Sequence, residues 1–188
     1  PLKNTLPEHV SFAGGHPMAG IEKTGYDHSS ADIMTGATYI LTTDQVGSDV
    51  SKETQSRDAL HALLKTCEFN VLECDANSHD KYVALASHLP YLMAILTTEN
   101  AKSQLSSDQE LAFKQIISSG FRDTTRVASS APEWGSDVCT QNNANLIESI
   151  QLLKDQLSQL EAKLKTNDPE ALTGYFESIK SFRELLYR

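Results

Sequence analysis

The 188-residue chain is short of positive charge, of long apolar runs and of cysteine, and each shortage excludes something. Sixteen Lys and Arg stand against 25 Asp and Glu, a formal net charge of −9. Nucleic acids and anionic membranes attract net positive surfaces, so neither is expected as a partner. No run of about 18 apolar residues occurs, which leaves no candidate membrane span. Cys67, Cys74 and Cys139 are odd in number and sit at no metal-ligand spacing, so the expected setting is reduced and cytoplasmic, with no metal site. No Gly-x-Gly-x-x-Gly follows a strand candidate, so the glycine-rich turn that seats a dinucleotide pyrophosphate is missing from these residues. The chain opens on Pro1-Leu2-Lys3-Asn4 without an initiator Met or a signal-peptide pattern, and it reads as a piece of a longer chain.

What is present divides in two. Over the first 75 residues short apolar runs alternate with turn residues. His9–Ala13 is a brief strand candidate that stops at Gly14-Gly15, and Ala37–Thr42 is a better one, β-branched and aromatic. Asp44–Val50 is a polar loop. Ala59, Leu60, Leu63 and Leu64 recur at helical spacing within Ser51–Glu68, and Phe69–Glu73 reads as another strand. That order fits α/β construction. From Asn77 onward nearly everything is helical. Asn77 or Ser78 can cap a largely apolar helix reaching about Asn100, with Pro90 inside it. Proline removes its own N–H and frees the carbonyl of Ala86, so a kink is expected near His88. Ser107-Asp-Gln-Glu110 and Ser130-Ala-Pro-Glu133 are capping-box patterns. Leu146, Ile150, Leu153, Leu157, Leu160 and Leu164 form one narrow stripe, and Asn167–Glu170 separates it from a last helix whose apolar face is Leu172, Phe176, Ile179, Phe182 and Leu186. The stripe suits either an intramolecular hairpin or a subunit interface.

Three groups of residues could carry chemistry. His16, between a glycine pair and a proline at a strand end, sits where α/β folds build sites, and its imidazole suits general acid–base work. His88 lies on an apolar helix, where a buried, singly hydrogen-bonded histidine is the plainer reading. His79 and His88 cannot share a metal, because nine residues of helix turn through about 900° and put them on opposite faces. His79-Asp80 reads locally as a helix start and its neighbour, and His9, His28 and His61 have no supporting context. In Phe121-Arg-Asp-Thr-Thr-Arg126, Arg122 and Arg126 share a face if helical. Either Asp123 pairs with Arg126 in a solvated turn, or the arginines hold a small carboxylate.

Gly14-Gly-His-Pro-Met-Ala-Gly20, then His79-Asp80 with Ser87-His-Leu-Pro90, then Gly120-Phe-Arg-Asp-Thr-Thr-Arg-Val-Ala128 follow one another at spacings that resemble the prephenate dehydrogenases and their arogenate-using relatives. The resemblance implies an α+β chain: the C-terminal tail of a Rossmann-like α/β domain over residues 1–76, then an all-α helical dimerisation domain over 77–188. It implies NAD(P)-dependent oxidative decarboxylation of prephenate to 4-hydroxyphenylpyruvate in tyrosine biosynthesis, with NAD as cofactor, NADP not set apart, and a homodimer formed through the helical domain. His16 corresponds to the family's catalytic histidine and Arg126 to its ligand for the dicarboxylate substrate. Arg122 and Asp123 would belong to the ionic network around Arg126, and His88 and Tyr91 to substrate binding. The family often has a second histidine where this chain has Tyr91, which leaves arogenate open as the substrate, and its Met-Trp pair is replaced by Trp134-Gly135. The family carries its glycine-rich turn upstream of the region seen here, so no cofactor-binding residues are assigned and these 188 residues are expected to be inactive alone. The rival readings are a non-catalytic helical dimer module and a dehydrogenase of another substrate class. The latter would need a catalytic lysine, for which Lys81 is the nearest candidate.

Overall fold

A computed structural model describes residues 7, 10–21, 25–44 and 50–187. It divides into two compact units, one reaching Asn145 and the other running from Leu146.

In the first unit, β2 (Thr38–Thr42) is the centre of a three-stranded sheet, flanked by β1 (Gly15–Pro17) and β3 (Asn70–Cys74). β2 and β3 are parallel, in register from Thr38 opposite Asn70 to Thr42 opposite Cys74, with α1 (Val50–Thr66) making the crossover that parallel neighbours require. Successive strand residues point to opposite faces, and Ile40 and Leu41 are both buried, so both faces of β2 are covered. β1 runs antiparallel along the other edge, with His16 opposite Ile40.

The first strand is displaced from its expected place. Residues 10–13 are irregular, His9 lies outside the described residues, and pairing begins at Gly15. Glycine is what permits this, because a Cβ at Gly15 would come within 2.9 Å of the Tyr39 hydroxyl. Val50 belongs to α1, and residues 45–49 of the expected polar loop lie outside the described residues.

All remaining elements are helical. α2 (Ala76–Val83) begins before the position expected: Asp75, not Asn77 or Ser78, is its N-cap, accepting the Ser78 N–H at 3.0 Å and the Ser78 hydroxyl at 2.7 Å. The same two bonds hold the Asp75 carboxyl below its ordinary titration range. The helix then widens into a π turn over Ala84–His88 before α3 (Leu89–Gln104). The expected kink thus takes the form of a π turn, set where the missing N–H of Pro90 leaves the α-helical ladder incomplete. α4 (Ser107–Ile116) is capped by Ser106, whose N–H donates to Gln109 Oε1 at 2.9 Å. The box therefore sits one residue earlier than Ser107–Glu110. A separate α5 (Ser119–Thr125) leads into a 3-10 turn at Arg126–Ser129. α6 (Pro132–Gln141) has Pro132 in its first turn, but its N-cap is Ala131, without a side-chain cap bond, rather than Ser130.

α7 (Asn143–Thr166) and α8 (Pro169–Leu186) follow. Asp168 caps α8 by accepting from the N–H groups of Glu170 and Ala171. Within the second unit, Leu146 is buried, and Ile150, Leu153 and Leu160 are half-buried. Leu157, Leu164, Phe176, Ile179, Phe182 and Leu186 remain more than half exposed.

Candidate functional site

The glycine pair lets β1 press against β2 and presents the next residue, His16, beside the first turn of α2. His16 Nδ1 lies 2.9 Å from His79 Nε2, with the rings meeting edge-on at 5.2 Å between centroids. His79 Nδ1 lies in turn 2.8 Å from Asp80 Oδ1. Two imidazoles and a carboxylate thus form one hydrogen-bonded row, with His16 exposed at its outer end and His79 and Asp80 half-buried. Partial desolvation, and secondarily the neighbouring His79, hold His16 below the ordinary histidine value, so it is neutral near pH 7 and able to accept a proton.

A second row ends at His88, the last residue of the π turn. Asn142 Nδ2 donates to the Asp80 carbonyl oxygen at 2.7 Å and lies 3.3 Å from His88 Nδ1, while Asn145 Nδ2 donates to Asn142 Oδ1 at 2.8 Å. The bond to the Asp80 carbonyl fixes which end of the Asn142 amide is nitrogen. Facing a donor, His88 Nδ1 must accept, so neutral His88 carries its proton on Nε2. Burial, together with His16 and His79 and against the opposing Asp80 charge, keeps His88 below the ordinary histidine range.

Both histidines line one cavity of about 560 Å³, within the range that suits a small ligand. Its walls bring in the Met18–Ile21 loop, Tyr91 from α3, Arg126 from the 3-10 turn and Trp134 from α6. Tyr91 is buried and meets Trp134 edge-on at 5.2 Å. Its ring reaches α6 because residue 135 is glycine: a Cβ there would stand 2.7 Å from Tyr91 Cζ. Chemically, the cavity offers a proton acceptor, a neutral N–H donor, a phenol, a guanidinium and an aromatic wall.

His16, His88, Tyr91 and Arg126 therefore share one cavity, although they come from segments up to 110 residues apart. Arg122 and Asp123 are exposed on α5 and are not part of the cavity lining. His79, Asp80, Asn142 and Trp134 complete the arrangement, and the reading of the sequence gave none of them a place in the site. The His79-Asp80 neighbours were the available signal, since an adjacent carboxylate is what orients an imidazole. Elsewhere, His28 is exposed in a 3-10 turn, and His61 Nε2 lies 4.0 Å from Glu73 Oε1. Among the described residues no group of three His, Cys, Asp or Glu side chains gathers to hold a metal, and no helix is long and apolar enough to cross a membrane.

Two family descriptions match this chain: "Prephenate dehydrogenase, nucleotide-binding domain" over residues 1–71 and "Prephenate dehydrogenase, dimerization domain" over residues 75–178. A prephenate dehydrogenase of Bacillus subtilis is 28% identical over 179 residues, covering 95% of this chain and 46% of that protein. Among solved structures, an arogenate dehydrogenase of Synechocystis superposes with a TM-score of 0.77 at 28% identity, covering 93% of this chain and 61% of that one. The prephenate dehydrogenase of A. aeolicus, solved with hydroxyphenyl propionate and NAD+, superposes with a TM-score of 0.79 at 26% identity, covering 93% and 59%. The chain spans about half the length of the curated relatives it matches.

Proposed function

The chain belongs to the prephenate dehydrogenase family, and on that premise we propose that it carries the proton-transfer and carboxylate-binding residues of a cytoplasmic enzyme converting prephenate to 4-hydroxyphenylpyruvate. In this reading residues 1–76 are the last part of a Rossmann-like nucleotide-binding domain and 77–188 the helical domain. The observation that carries it is the convergence of His16, His88, Tyr91 and Arg126 on one cavity.

His16 accepts the proton of the substrate's ring hydroxyl as the C–H electron pair of the same carbon leaves as hydride. The C–C bond to the ring carboxylate then breaks, its electron pair enters the ring, and carbon dioxide departs. NAD, which the A. aeolicus relative holds, is the oxidant we assign, and when bound it takes up that hydride. The glycine-rich turn that would seat its pyrophosphate is not among these residues, so no cofactor contact is assigned. Arg126 pairs with a substrate carboxylate, and His88 donates its Nε2–H to an anionic oxygen in the same cavity. Arg122 and Asp123 are assigned to the charged surroundings of Arg126.

Tyr91 favours a second reading, arogenate as substrate. A phenol oxygen can accept from the ammonium group that replaces the keto group of prephenate, whereas a protonated histidine there would repel it. The exposed apolar positions of α7 and α8 support a homodimer, with a second copy of the same unit as the covering surface.

The test is turnover of prephenate and arogenate with each nicotinamide cofactor by the full-length protein that contains this chain. His16→Ala is expected to lower kcat by about 10²–10⁴-fold with little change in KM. Turnover of neither substrate overturns the reading, and a near-normal kcat removes His16 from the chemistry.

A further inference from the structure

An imidazole is a useful base only if the nitrogen facing the substrate carries the lone pair. In neutral His16 either nitrogen can hold the proton, so something must choose. The row His16–His79–Asp80 makes that choice by elimination. The Asp80 carboxylate can only accept, so the 2.8 Å contact puts a proton on His79 Nδ1. Where that is the ring's one proton, His79 has its lone pair on Nε2. The 2.9 Å contact from that atom to His16 Nδ1 closes only if His16 Nδ1 donates. His16 Nε2 is left with the lone pair.

We propose that His79, held by Asp80, is a positioning residue that fixes His16 as the Nδ1–H tautomer and so keeps its Nε2 available as proton acceptor. Among the described residues no other side chain is hydrogen-bonded to the His16 ring. His79 owes its place to the cap at Asp75, which starts α2 early enough to set it in the first turn. The Asp80 carbonyl is in turn anchored by Asn142, the C-cap residue of α6, so the row is tied to the end of α6 as well as to α2. The charged and titratable groups around His16 are His79 from α2, with Asp80 beyond it, and, lining the shared cavity, His88 from the π turn, Tyr91 from α3 and Arg126 from the 3-10 turn. When His16 takes up a proton, both of its nitrogens become donors. The contact to His79 Nε2 persists.

The assignment of a base rests on the dehydrogenase reading, but the tautomer itself does not, and the two are separable by experiment. In the ¹⁵N-histidine-labelled protein above the histidine titration range, His16 Nδ1 is expected to give a pyrrole-type signal and Nε2 a pyridine-type one. This is the reverse of the preference of free histidine. His79→Phe keeps a ring but removes the acceptor, and His79→Gln supplies an amide oxygen in its place. His79→Phe should shift His16 toward the Nε2–H form and lower kcat by about 10–100-fold, with KM within about 3-fold. His79→Gln should restore the Nδ1–H form and most of kcat. An unchanged His16 tautomer in His79→Phe overturns the proposal whatever happens to kcat, as does a wild-type His16 found in the Nε2–H form. If instead the tautomer responds while His16→Ala leaves turnover intact, the positioning stands and the catalytic reading falls.

Discussion

The two units use their polar and apolar residues in opposite ways. In the unit ending at Asn145, side chains from distant segments satisfy one another: Asp80 meets His79, His79 meets His16, and Asn142 joins the Asp80 backbone to His88. In the unit from Leu146, the ion pairs among the described residues are surface ones one helical turn apart, Glu161 with Lys165 and Lys180 with Glu184. Such pairs contribute only about 0.3–0.5 kcal/mol each. Meanwhile Phe176, Ile179, Phe182 and Leu186 are 53–64% exposed, which is an unusual place for four large apolar residues on one helix. The first unit draws its polar side chains together around one cavity, whereas the second leaves large apolar side chains exposed.

The sharpest way to break this contrast is to make α8 genuinely self-sufficient. Phe176→Asp with Phe182→Asp removes two aromatic side chains from each copy. Burial of each is worth about 1.5–3 kcal/mol, so a dimer should weaken by roughly 10³-fold or more. Sedimentation velocity on the double variant, with circular dichroism to confirm helicity, reads this directly. A helical double variant that sediments as the wild type does would mean that this face is not a subunit interface. A smaller effect is expected inside the first unit, because a single charged contact is at stake. Arg126→Ala should raise KM by about 10–100-fold, the worth of one charge-assisted pair, and Arg126→Lys should recover part of it without the bidentate geometry. An unchanged KM removes Arg126 from carboxylate binding.

The same contrast explains what could be read from the sequence. β2, α1, β3 and both long helices were legible because each is set by its own periodicity and composition. The break between α7 and α8 at Asn167–Glu170 was legible for the same local reason. β1 was not: residues 10–13 look more like a strand than Gly15-His16-Pro17, and only the approach to Tyr39 across 24 positions makes glycine the better choice there. His79 was passed over because its partner is 63 residues away, and no local pattern carries that pairing. His16, His88 and Arg126 could be singled out as residue types in suggestive settings. The cavity that unites them depends on the π turn, whose extra residue re-sets the register of everything before it relative to α3.

Gly135 shows how tightly the first unit is packed. In an open helix Gly→Ala is worth up to about 1 kcal/mol in favour of alanine. Here the new methyl would meet the buried ring of Tyr91, with Cζ at 2.7 Å, and overpacking costs about 1–3 kcal/mol. Gly135→Ala should therefore destabilise by about 1–2 kcal/mol by denaturant titration, and the sign should turn neutral or favourable in a Tyr91→Leu background. Additive effects of the two substitutions would show that Tyr91 and Gly135 are not coupled. The comparable substitution in the second unit, Gly174→Ala, meets nothing within 4 Å, and it should stabilise α8 by up to about 1 kcal/mol.

The smallest expected effect separates the units by pH. His16 and His88 both sit below the ordinary histidine value of 6.5, His16 chiefly through partial desolvation and His88 chiefly through burial. For a group whose folded value is depressed, the unfolded chain binds the proton first as pH falls. Stability is therefore full above about pH 6.5 and declines through the window down to the lower folded values. The decline belongs to the first unit, since residues 146–188 contain no histidine. Denaturation midpoints measured near pH 7.5 and near pH 5.5 should differ in the wild type and differ less in His88→Gln. Equal pH dependence in the two proteins would mean that protonation of His88 does not oppose folding. In the proposed reaction only His16 has to lose its proton first, so the acid limb of kcat/KM should be unchanged in His88→Gln, and a shifted limb would bring His88 into the proton transfer.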